Sequence, residues 1–99
     1  MPIRFEWDPR KERRNLQRHG IVFDEASTVF ADTLSITIPD PDHSDEEDRW
    51  VIMGVSYRQR LLVVVHTEKE YEETIRIISA RPADGSERRE YEEGQPRRR

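Results

Sequence analysis

The sequence predicts an α+β fold: two N-terminal helices, a small antiparallel sheet of three to four strands, and one C-terminal helix. Three observations carry that expectation. A polar segment is bounded by Asp8-Pro9 and Gly20, short apolar runs crowd the stretch 34–81, and a polar, glutamate-rich segment follows Pro82.

Asp8 can cap the first helix, and Pro9 suits the first helical position, where its missing N–H costs nothing. Gly20 can end it in the left-handed conformation. Leu16 is its one large apolar residue, which places the helix on the surface. Asp24 is the expected cap of a second short helix, with Ala26, Val29 and Phe30 on one face and an exit at Asp32 and Thr33. Residues 34–38 alternate apolar and polar, as a half-buried strand does, and Pro39 and Pro41 close them. Residues 50–55 form a second strand, and a tight connection at 58–60 leads into 61–67. That unbroken apolar run fits a central strand covered on both faces. A polar turn at 70–73 precedes the last strand, 74–81, so short connections make the final three strands an antiparallel meander. Residues 84–93 read as the last helix. Residues 1–94 are expected to form one domain and 95–99 a loose basic tail.

Bulk properties exclude several classes. At 99 residues, 33% hydrophobic and 38% charged, the chain has room for one lean core. Cysteine is absent, so disulfides and thiolate metal sites are excluded. No apolar stretch approaches the roughly 20 residues that cross a bilayer. The first residues lack the apolar segment of a signal peptide, and a cytoplasmic location is expected. The net charge of −4 argues against a globally basic nucleic-acid binder, but it is unevenly spread. Residues 1–20 carry six basic and three acidic groups, whereas 40–48 carry six acids and no Lys or Arg. That acidic stretch lacks the central glycine and ligand spacing of a calcium loop, and reads as a solvated loop or a surface for a basic partner.

No glycine-rich phosphate loop occurs, and His19, His43 and His66 lie too far apart to match a zinc pattern. The remaining candidates are polar residues at strand ends: His66, Thr67 and Glu68, then Arg76, Ser79 and Arg81. In a hairpin turning around 70–73, His66 falls opposite Ile77, with Ser79 and Arg81 on its face and Arg76 on the other. A slip of one residue reverses that grouping. An imidazole exchanges protons near neutrality and arginines stabilise a phosphorane, so this set suits metal-free RNA cleavage by the 2′-hydroxyl. Plainer roles stand beside it. His66 can be a hydrogen-bonded structural residue, and Arg76 and Arg81 can pair with Glu68, Glu87 or Glu90. Tyr91, Trp7 and Trp50 can be packing residues.

From about Phe5 to Gly94 the sequence resembles the BrnT family of toxins. The carrying motifs are Phe5-Glu6-Trp7-Asp8, His19-Gly20-Ile21 with Phe23 and Glu25-Ala26, Asp42-His43-Ser44, and Glu47-Asp48-Arg49. His66-Thr67-Glu68, the run from Ile75 to Arg81, and Glu87-Arg88-Arg89-Glu90-Tyr91-Glu92 complete them. Asp48 departs from the glutamate expected before the arginine, and the triple-arginine tail has no counterpart. The resemblance implies a RelE-like fold and a ribonuclease that slows translation. It also implies a BrnA-like ribbon-helix-helix antitoxin, assembled with the toxin as a heterotetramer, through which alone operator DNA is reached. The site set it implies is His66, Arg76, Ser79, Arg81 and Tyr91, with Arg49 and Glu68 in support and His66 assigned to proton transfer. The basic N-terminal segment adds Arg13 and Arg14 as RNA contacts, and no metal or cofactor is expected. Two other classes fit such a fold: a non-enzymatic inhibitor of a protein such as DNA gyrase, and a degenerate toxin acting only as co-repressor.

Overall fold

A computed structural model describes residues 3–43, 48–69 and 73–94. In chain order these form β1 (Arg4–Glu6), α1 (Pro9–His19), α2 (Phe23–Ser27) with a 3-10 turn at Thr28–Ala31, and β2 (Ile36–Pro39). There follow a 3-10 turn at Pro41–His43, β3 (Arg49–Val55), β4 (Leu61–Lys69), β5 (Thr74–Pro82) and α3 (Gly85–Glu93). The α+β class and the meander β3-β4-β5 are as expected. The sheet, however, has five strands in the order β1-β5-β4-β3-β2, and it is mixed rather than antiparallel, because β1 runs parallel to β5. β1 is three residues long, too short for alternation to be read, and it is ordered by pairing with a strand some seventy positions away. The 95–99 tail, the centre of the acidic stretch at 44–47 and most of the 70–73 turn lie outside the described residues.

α1 has the caps its sequence promised: Asp8 accepts from Arg10 N at 2.9 Å, and Gly20 adopts φ 73°. Its inward contact is not Leu16, which is 46% exposed, but Asn15. The Asn15 amide donates to the carbonyls of Ala80 (2.8 Å) and Ile21 (2.9 Å), and its Oδ1 accepts from Ala80 N at 3.0 Å. Beyond the end of β1, one side chain thus satisfies both backbone groups of an edge residue, as a neighbouring strand would. α2 begins two residues earlier than expected: Val22 occupies the cap position without a side-chain bond, and Asp24 lies inside the first turn. The carboxylate of Glu12 on α1 accepts from Phe23 N instead, at 2.9 Å.

Two cores flank the sheet. On one face Ile52, Leu62, Val64, Ile77 and Ala80 pack beneath Ile21, Phe23, Ala26 and Val29 of the α2 region. On the other, Met53, Leu61 and Val63 are covered by Tyr91 of α3 with Ile36 and Val55. β4, third of five strands, is therefore buried on both sides, which its unbroken apolar run required. Gly54 on β3 lets the chain after α2 come close, since a Cβ there would lie 3.1 Å from the Val29 carbonyl oxygen.

Candidate functional site on the open sheet face

Register decides which side chains can act together. Directly opposed residues of an antiparallel pair project to the same face. His66 is opposed to Ile77, as expected, but Val65 is opposed to Ser79, so Ile78 is an extra residue, a bulge on β5. The bulge changes the parity of the strand. Ala80, opposed to Val64, therefore lies on the His66 face, while Arg81, opposed to Val63, and Ser79 lie on the other. Arg76, opposed to Thr67, joins them there. The expected grouping of His66 with Ser79 and Arg81 is thereby overturned.

His66 is 0% exposed and belongs to the helix-covered core. Its ring meets Phe30 edge-on at a centroid distance of 4.8 Å, Nε2 lies 3.1 Å from Glu68 Oε1, and Nδ1 has no partner among the described residues. Glu68, half exposed, thus serves the imidazole rather than an arginine. An imidazole so enclosed has no route to a polynucleotide on the opposite face. The plainer role foreseen for His66, a hydrogen-bonded structural residue, is the one its surroundings fit.

The opposite face is only partly covered by α3, and it collects cations. One cross-strand row runs Arg49, Thr67, Arg76; the next holds Val51, Val65 and Ser79; the third carries Met53, Val63 and Arg81. Arg76 donates to Glu6 on β1 at 2.6 Å, a partner that escaped sequence reasoning together with its strand, and its side chain stays 42% exposed. Arg81 forms a bidentate pair with Glu87 of α3 at 2.7 and 2.8 Å, one of the pairings foreseen. That bond holds the Glu87 carboxyl below its ordinary range and raises the guanidinium further. Arg49 reaches Asp40 at 3.2 Å.

Asp40, at the start of the acidic stretch, is not a solvated residue: it is buried and also accepts from Asp42 N and contacts His43 Nδ1 at 3.1 Å. Burial pushes its carboxyl up, but these bonds and the Arg49 charge outweigh that and leave it below the usual value.

Tyr91 closes one side of the face. Its hydroxyl donates to Asp32 Oδ2 at 2.6 Å, and burial with that bond pushes its pKa up to about 12. At neutral pH it is a phenol and a donor, and its ring also packs on Met53, Leu61 and Val63, as the packing role required. Arg13 is exposed on α1, whereas Arg14 lines a groove between α1 and β5 that Ser79 also lines. Sequence reasoning missed Asp32 as the anchor of Tyr91, a pair 59 positions apart. Buried Glu25 was also missed; it accepts from Ser56 Oγ at 2.7 Å and from the Arg60 guanidinium.

The domain is thus α+β, with arginines on a sheet face left partly open by its last helix, and its class is that of a small toxin. The model of the family described as the ribonuclease toxin BrnT of type II toxin-antitoxin systems matches residues 7–87, and the chain belongs to that family. Its fold is similar to the crystal structure of the Brucella abortus ribonuclease toxin BrnT, with a TM-score of 0.65 at 20% identity, covering 84% of this chain and 99% of that one. No curated protein matches the chain. Membership of a type II system implies an antitoxin partner. Among the described residues, no helix is long and apolar enough to cross a membrane.

Proposed function

We propose that this chain is a cytoplasmic endoribonuclease toxin, metal-independent, that cleaves RNA on the open face of the sheet and so slows translation. What supports this reading is the placement of Arg49, Arg76, Ser79 and Arg81 on one accessible face, beside the phenol of Tyr91. The RNA 2′-hydroxyl attacks the adjacent phosphorus and the P–O5′ bond breaks, leaving a 2′,3′-cyclic phosphate and a 5′-hydroxyl, with the 2′ proton lost to water and the 5′-oxygen protonated by water. The guanidiniums of Arg76 and Arg81 turn from their carboxylate partners to the developing phosphorane. Both pairs are exposed enough to exchange a carboxylate for a phosphate with little loss. Arg49 positions the flanking phosphate, Ser79 donates a hydrogen bond, and Tyr91 does so by turning its one proton from Asp32. His66 and Glu68 hold the strand that presents these groups. The neutralising partner is a BrnA-like ribbon-helix-helix antitoxin. In this reading it forms a heterotetramer with the toxin and carries the contact to operator DNA.

The test is induction of the wild type and of R76A/R81A in cells, reading growth and total RNA integrity. Arrest with RNA loss in the wild type only, from equally folded proteins, is expected. Arrest with intact RNA would replace this reading by inhibition of a protein target, and arrest by both would clear the two arginines of a role.

A further inference from the structure

α1 concentrates positive charge in an acidic protein. Its eleven residues hold Arg10, Lys11, Arg13, Arg14 and Arg18 against a single acid, Glu12, while the whole chain is at −4. Glu12 is already engaged by Phe23 N. Among the described residues, none of the five cations forms an ion pair within 4 Å, although Arg10 and Lys11 lie close enough to Asp8 to help hold its carboxyl below the usual value. Three of them, Lys11, Arg14 and Arg18, recur at the spacing of one helical face and line an open groove of about 580 Å³ against Ser79. His19 borders its end.

Two devices fix that groove. Asn15, between Arg14 and Arg18 in position, clamps α1 to the Ala80 backbone. The bulge at Ile78 turns β5 at the same place, so that Ser79 belongs both to the open arginine face and to the groove. The groove therefore meets the candidate cleavage face at Ser79.

We propose that the α1–β5 groove is a second phosphate-binding track, through which single-stranded RNA leaves the cleavage face and is held by Lys11, Arg14 and Arg18. The proposal rests on the ribonuclease reading for its ligand and extends it to substrate length. Lys11 to Arg18 covers about 10 Å of helix axis. A stacked strand rises by about three nucleotides over that distance, at roughly 3.4 Å each. Three ammonium and guanidinium groups on a rigid helix match three phosphates, and the track reads no base. It also explains how a chain of net −4 takes a polyanion: the attraction is local, and the acids lie elsewhere.

The experiment uses the full chain and a short 2′-O-methyl RNA, which cannot be cleaved, with binding followed by fluorescence anisotropy over a salt series. K11Q/R14Q/R18Q is compared with the wild type and with R88Q/R89Q, two exposed arginines of α3 outside the groove. The groove variant should bind about tenfold or more weakly, and its log–log salt slope should be shallower by about 2, at roughly 0.7 per phosphate contact. R88Q/R89Q should keep the wild-type slope. Equal slopes in the wild type and groove variant would overturn the proposal, as would equal losses in both variants, which mark diffuse charge only. Unchanged RNA binding with loss of antitoxin binding would reassign the groove to a protein partner. Cleavage of a dinucleotide, too short to reach the groove, separates the two readings. If the wild type cleaves neither dinucleotide nor long RNA while the slope difference persists, the ribonuclease reading fails and the groove stands. If the wild type cleaves and the slopes coincide, the groove alone fails.

Discussion

The two faces of the sheet are built from the same strands and obey different rules. On the helix-covered face the buried polar side chains are enclosed and answered, save His66 Nδ1 among the described residues: Glu25 by Ser56 and Arg60, Asn15 by Ala80 and Ile21, and His66 Nε2 by Glu68. On the open face the charged groups are paired in water, Arg76 with Glu6 and Arg81 with Glu87, each arginine about two-fifths exposed. Enclosed groups resist removal, because their partners are left buried and unanswered. Exposed pairs contribute little to stability and can be exchanged for a ligand. Residues near one another in sequence, His66 and Arg76 among them, thus belong to different jobs. Substitution should divide them: stability on the covered face, activity on the open one.

The largest effect on stability is expected at Glu25. Its carboxylate is 1% exposed, and the Arg60 bond holds its pKa below the usual range. Glu25→Ala leaves the Arg60 guanidinium and Ser56 hydroxyl without their acceptor, a loss of about 3 kcal/mol in urea denaturation, the low end for a buried pair because Arg60 is itself 36% exposed. The pH dependence has a definite sign. A depressed folded pKa means that the unfolded chain binds more protons in acid, so the stabilisation is complete above the unfolded value near 4.3. It is lost as pH falls through the folded one. Asp32, Asp40 and Glu87 are displaced the same way. Stability should therefore fall steeply in acid, and Glu25→Gln should flatten that limb.

His66→Ala comes next, with a loss of about 2–4 kcal/mol, the range for emptying a large buried site. Any loss of toxicity should then be accompanied by a lower melting temperature and less soluble protein. A folded His66→Ala chain of wild-type stability that no longer cleaves RNA would break the comparison and return the imidazole to the reaction.

This residue also shows where the sequence stops being legible. The caps at Asp8 and Gly20, the central run of β4 and the opposition of His66 to Ile77 could all be read, because each depends on neighbouring residues or on loop length. The bulge at Ile78 could not. An alternation such as Ile75-Arg76-Ile77-Ile78-Ser79-Ala80-Arg81 contains adjacent apolar residues that a regular strand and a bulged one explain equally well. Which parity wins is decided by packing, through Ala80 beneath the helices and its bonds to Asn15. Long-range partners, Glu6 for Arg76 and Asp32 for Tyr91, were hidden for the same reason.

Tyr91→Phe should cost about 1 kcal/mol, one hydrogen bond of a partly buried hydroxyl, while keeping the ring's contacts with Met53, Leu61 and Val63. Absorbance titration should show a tyrosine ionising at about 12, and this transition should be missing in the variant. Because the contribution of a raised folded pKa is full below the unfolded value near 10 and is lost as pH rises through the folded value of about 12, the cost should vanish in strong alkali.

The smallest stability effects are expected where the largest functional ones are. Arg76→Ala and Arg81→Ala each remove an exposed ion pair, for which about 1 kcal/mol or less is expected. Arg81 also braces Glu87, whose Oε1 accepts from Asp84 N at the start of α3, so its variant should be the less stable of the two by a few tenths of a kcal/mol. RNA cleavage, in contrast, should fall by about two to three orders of magnitude in each, the scale for removing one preorganised donor from a developing anion. Urea midpoints and cleavage rates measured on the same preparations place every variant on two axes. Covered-face substitutions should scatter along stability, and Arg76 and Arg81 along activity. Should the arginine variants instead lose activity only in proportion to folded fraction, the open face is a surface for another macromolecule and the chemistry lies elsewhere on the chain.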